Sequence, residues 1–122
     1  LRLSSAASDV YKRQLIDSIV QKLDDLKIID EKQFIETVFH YYEQSLFSIK
    51  KIKNKLYQKG FEQSLIEEYI SKKVSENPDL ELDILKRFIL RKKLSKLETN
   101  ELKKKLYQQS FSENSIYKVI RD

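Results

Sequence analysis

A chain of 122 residues is one domain or a short array with a modest core, and 24 Lys and Arg against 19 Asp and Glu leave a net charge of +5 that suits an acidic partner. One Gly, one Pro and no Cys exclude a glycine-rich phosphate loop, disulfides and thiolate metal sites, and they favour helix nearly throughout. No apolar run approaches the roughly 18 to 20 residues a membrane helix needs, so no membrane association is expected and the chain reads as cytoplasmic.

Residues 1–14, from Leu1 to Gln14, begin without Met and differ in composition from the Lys- and Ile-rich remainder. They resemble translated adapter read-through and are expected to be a non-native extension. From Leu15, the positions Ile16, Ile19, Val20, Leu23 and Leu26 follow helical spacing and predict an amphipathic helix to about Lys27. Asp30 with Gln33 is a capping-box-like start for a second helix, whose stripe of Phe34, Ile35, Val38, Phe39 and Tyr42 ends near Ser45. Ser48 is the expected N-cap of a short third helix with Ile49, Ile52 and Leu56 inward, and Gly60 supplies the left-handed residue that closes it.

Phe61 leads into a helix with Leu65, Ile66, Tyr69, Ile70 and Val74 inward. Asn77-Pro78-Asp79 stops it and starts the next, because Pro suits a first turn and Asn or Asp a cap. Helices are then predicted over Leu82 to Lys93, Glu98 to Gln109, and Ser112 to Arg121, with a turn near Ser95. Ser110 stands where Gly60 stood and adopts the left-handed conformation less readily, so a small local change is expected there.

The apolar positions recur at a spacing of about fifty residues: Lys51-Ile-Lys-Asn-Lys-Leu-Tyr-Gln-Lys-Gly-Phe61 returns as Glu101-Leu-Lys-Lys-Lys-Leu-Tyr-Gln-Gln-Ser-Phe111. Phe34, Ile35, Val38 and Phe39 fall on Ile84, Leu85, Phe88 and Ile89, while Ile66, Tyr69 and Ile70 fall on Ile116, Val119 and Ile120. One three-helix unit used repeatedly explains this, and it favours an extended interaction surface over an enzyme pocket. The expected fold is all-α: tandem three-helix repeats forming an elongated, curved right-handed-helix array. Residues 15–29 would be the last helix of a first repeat, 30–77 a second repeat and 78–122 a third.

Catalysis has little support. His40 is the single histidine, and adjacent carboxylates such as Asp24 with Asp25 or Glu67 with Glu68 diverge by about 100° on a helix and cannot grip one atom. No catalytic, cofactor or metal residue is therefore expected. The basic stretches are the better candidates: Lys50, Lys51, Lys53, Lys55 and Lys59 on the third helix, and Lys103, Lys104 and Lys105 on its equivalent. Lys53 and Lys55 recur as Lys103 and Lys105, which would set like charge on one side of an array and suit a polyanion or an acidic groove. A denser group contains Lys86, Arg87, Arg91, Lys92, Lys93 and Lys96. Lysine is also a good helix former, so a merely solvated face is the alternative reading. Tyr57 and Tyr107 recur too, either as packing residues or as platforms for a base or a partner side chain.

The run Leu26-Lys-Ile-Ile-Asp-Glu-Lys-Gln-Phe34, then Lys51-Ile52, Leu56, Lys59-Gly60-Phe61 and Ile66, then Lys86-Arg87-Phe88 and the series Leu106, Phe111 and Ile116, resembles the RecX family of recombination regulators. The resemblance covers nearly everything from Leu15 onward and rests on the order and spacing of short motifs. It implies tandem three-helix repeats without enzymatic activity and without a cofactor, in a monomer that binds the RecA filament on single-stranded DNA. The family lodges in the filament groove and inhibits RecA's ATP hydrolysis and strand exchange. Leu46 and Ser48 stand where the family often has glycine, Ser110 replaces a usual glycine, and most of a first repeat is missing. Direct DNA binding by a helix-turn-helix-like module and a purely structural helical repeat are the alternatives.

Overall fold

The computed structural model describes residues 12–19, 21–22 and 30–121. Residues 1–11 of the proposed extension over 1–14 and the predicted helix positions Val20, Leu23 and Leu26 lie outside the described residues. All regular structure among the described residues is helical, in seven helices: α1 over 12–19 and 21–22, α2 (Glu31–Gln44), α3 (Ile49–Gln58), α4 (Gln63–Glu76), α5 (Leu80–Arg91), α6 (Thr99–Gln108) and α7 (Glu113–Arg121). Helix α1 runs through the expected boundary between residues 14 and 15. Its Ile16 packs against the protein, whereas Ile19 is exposed.

Local chemistry sets the helix ends. Asp30 accepts from the Gln33 amide at 3.3 Å to open α2, and Ser48 accepts from the Lys51 amide at 3.2 Å to open α3. Four helices close on a left-handed residue: Leu46 (φ 63°), Gly60 (φ 87°), Lys93 (φ 56°) and Ser110 (φ 65°). At Leu46 the reverse turn is complete, with Phe47 N–H donating to Tyr42 O and Leu46 N–H to Glu43 O. Lys93 with Leu94, and Ser110 with Phe111, repeat that pattern on Leu90 and Ile89 and on Tyr107 and Leu106. Ser110 thus takes the same conformation as Gly60, and the hydrogen bonds absorb the steric cost of its Cβ.

Two apolar clusters form the core. The first gathers Ile35, Val38, Phe39 and Tyr42 of α2, Ile52 and Leu56 of α3, and Ile66 and Ile70 of α4. The second gathers Ile84, Leu85 and Phe88 of α5, Leu106 of α6, and Phe111 and Ile116 at α7. Leu46, from the α2–α3 turn, joins the second cluster, and Ile49 and Leu80 pack against both. Burying each such side chain contributes about 1.5 to 3 kcal/mol, which makes this shared packing the chief tie between the halves. Val74, expected inward, is instead 40% exposed near the end of α4. Helix α5 begins at Leu80, before the expected Leu82, and ends at Arg91, so the link to α6 spans 92–98 whereas that from α2 to α3 spans 45–48.

Candidate functional site

The inward Ile52 and Leu56 of α3 force the helix's lysines onto its flanks. Lys51 is the most constrained of them. Its Nζ lies 4.2 Å from the Phe47 ring centroid and donates to Gln109 Oε1 at 3.1 Å. Phe47 in turn stacks on Tyr42, with centroids 5.2 Å apart and planes inclined by 14°. Burial lowers the Lys51 pKa below the ordinary lysine range, and repulsion from Lys55, Arg13 and Lys92 lowers it further.

Those neighbours define the candidate site. Lys55 is one turn along α3, Lys92 caps α5, and Arg13 comes from α1. Arg91 joins the same region, its Nη1 donating to Gln44 O at 3.4 Å at the end of α2, where the helix dipole favours a cation. Cations from three helices therefore converge around the α2–α3 turn. Like charges held together raise the free energy of the unliganded protein, and an anion placed among them would relieve it.

The remaining sequence-derived candidates are dispersed. Lys53 lies 4.0 Å from Glu67 and 5.8 Å from the Tyr57 ring centroid, in an exposed pair of little energetic weight. Lys59 pairs with Asp17 of α1, and burial lowers its pKa. Lys50 is exposed on α3, Arg87 on α5, Lys93 at the turn beyond it, and Lys103, Lys104 and Lys105 on α6. His40 is exposed on α2, and no group of His, Asp and Glu able to hold a metal occurs among the described residues.

A carboxylate that the composition did not single out fixes the frame beneath these cations. Glu81 Oε2 accepts from the Ile49 amide at 3.2 Å and Oε1 from the Ser112 amide at 2.8 Å, so one side chain satisfies the N-termini of α3 and α7. Beside it, Ser48 Oγ donates to Gln109 O at 2.9 Å while its own oxygen caps α3. Glu31, fifty residues earlier, accepts from the Glu62 amide at 3.5 Å at the start of α4. Both carboxylates sit at the start of their helices, and their recurrence at the shared spacing is the sequence signal that would have found them.

Open grooves between α2 and α4 share Gln33, Glu36 and Tyr69, with Lys32 and Lys72 lining one and Lys73 the other. The Tyr69 pKa is pushed up to about 12 by burial, with Glu36, Glu43 and Glu76 adding to it. A phenol raised in this way favours its protonated form near neutral pH. No helix among the described residues is long and apolar enough to cross a membrane. Comparison with protein-family models, with curated proteins and with solved structures gives no match for this chain.

Proposed function

We propose that this chain is a non-enzymatic regulator of the RecX type, which binds the RecA filament on single-stranded DNA and restrains its ATP hydrolysis and strand exchange. The observation that carries the reading is the convergence of Lys51, Lys55, Arg91 and Lys92 at one turn, where mutual repulsion awaits an anionic partner. The reading is also supported by the order of the motifs from Leu26 to Ile116. Tandem three-helix repeats in an elongated, right-handed array, acting as a cytoplasmic monomer, would lay the basic α3 and α6 along neighbouring filament subunits. The parallel roles of Glu31 and Glu81 favour that arrangement.

Binding to bare single strands, to duplex and to RecA-coated single strands, each at two salt concentrations, tests the proposal. Preference for the coated strand that survives added salt is the expected outcome. Equal binding to duplex without RecA, falling steeply with salt, would replace the proposal with a general DNA-binding module.

A further inference from the structure

Equivalent positions in the two halves of the chain differ on one face. In the first half, Tyr57 donates its hydroxyl to Glu67 Oε1 at 3.2 Å, and the same carboxylate oxygen faces Lys53 at 4.0 Å and Gln63 Nε2 at 3.3 Å. Glu67 thus occupies both the phenol and the cation beside it. Fifty residues on, Tyr107 stands for Tyr57 and Lys103 for Lys53, but Tyr117 stands where Glu67 would be. Helices α6 and α7 pack together as α3 and α4 do.

The exchange moves the carboxylate one turn back, to the exposed Glu113 where Gln63 stood, and puts a ring in its former place. Tyr107 is 47% and Tyr117 59% exposed. Lys103 and Lys104 lie one turn before Tyr107 on its face of α6, and the Arg121 guanidinium stands 5.9 Å from the Tyr117 ring centroid. Two exposed rings with cations beside them offer stacking faces and positive charge on one surface. A partner with an anionic backbone and flat, unpaired π-faces uses both halves of that chemistry, and a duplex, with its bases stacked inside, uses only the cations.

We infer that the α6–α7 face binds single-stranded nucleic acid directly, two bases stacking on Tyr107 and Tyr117 while Lys103, Lys104 and Arg121 meet the phosphates. This site lies apart from the cluster around Lys51 and, although it shares α6 with the surface proposed for the filament, it needs no filament protein, so binding to bare strands tests it separately from the function proposed above. Sequence tolerance follows, because every base has a π-face.

The test uses the whole chain and its own tyrosine fluorescence, since it contains no Trp. Titration with an oligothymidylate and with an abasic oligonucleotide of equal length separates stacking from charge. Quenching by the oligothymidylate and at least about thirtyfold weaker binding of the abasic strand are expected. Tyr107→Ala with Tyr117→Ala should bring oligothymidylate binding down to the abasic level, Tyr107→Phe with Tyr117→Phe should retain it, and circular dichroism should show unchanged helix in both. Equal affinity for the two strands, or wild-type affinity in the alanine variant, would overturn the inference.

Discussion

Leu46, Lys93 and Ser110 share a left-handed backbone that costs a residue with a Cβ about 1 to 2 kcal/mol, yet replacing them should not act alike. Lys93 is exposed and Ser110 half-buried without a place in either apolar cluster, so Lys93→Gly and Ser110→Gly should each raise urea-unfolding stability by about 1 kcal/mol. Leu46 is 3% exposed within the second cluster, so Leu46→Gly should lower stability by about 2 kcal/mol, the cavity outweighing the relief of strain. A stabilised Leu46→Gly would show that its side chain does not join the halves. The sequence made Gly60 legible as a helix stop because only glycine advertises such a backbone. Leu46 and Lys93 were hidden, since the hydrogen bonds that hold them left-handed come from the chain around them.

A second prediction at this scale concerns charge. The lowered Lys51 pKa means that, between its folded value and the ordinary value near 10.4, the unfolded chain binds more protons, so stability rises with pH through that window. Lys92→Gln removes one source of repulsion and should raise the Lys51 pKa in an NMR titration while shrinking that alkaline gain. An unmoved titration would contradict the convergence of these two groups.

Among the elements, the N-termini of α3 and α7 share one carboxylate beside their serine caps, Ser48 and Ser112. Glu81→Ala should cost about 2 kcal/mol and speed amide exchange at Ile49 and Ser112, while Glu81→Gln, with one acceptor oxygen left, should lose less. Unchanged exchange at both amides would remove Glu81 from the junction. Apolar periodicity located the helices to within a few residues, because Ile35, Val38, Phe39 and Tyr42, or Ile84, Leu85 and Phe88, bury one face each. It placed α5 late by two residues, at Leu82 in place of Leu80, and Pro78, expected to suit the first turn, lies before the Asp79 cap in the turn that leads in. It also turned Val74 inward, where α4 has already run past the cluster.

For the molecule as a whole, the basic stretches were readable but their meeting was not. Spacing along α3 joins Lys51 to Lys55; only the packing of α5 against the rest brings Lys92 beside them, and only the α2–α3 turn brings Arg91 to Gln44. Composition alone grouped Lys59 and Lys53 with them, whereas Asp17 and Glu67 draw those two elsewhere. In the proposed function this convergent charge engages the RecA filament. The direct measurement is RecA's ATP hydrolysis on single-stranded DNA, with the wild-type chain and with the triple variant Lys55→Glu, Arg91→Glu and Lys92→Glu, helicity checked by circular dichroism. Inhibition by the wild type and its loss in the variant is the predicted result; inhibition that survives the reversal, or a wild type that does not inhibit, would contradict it.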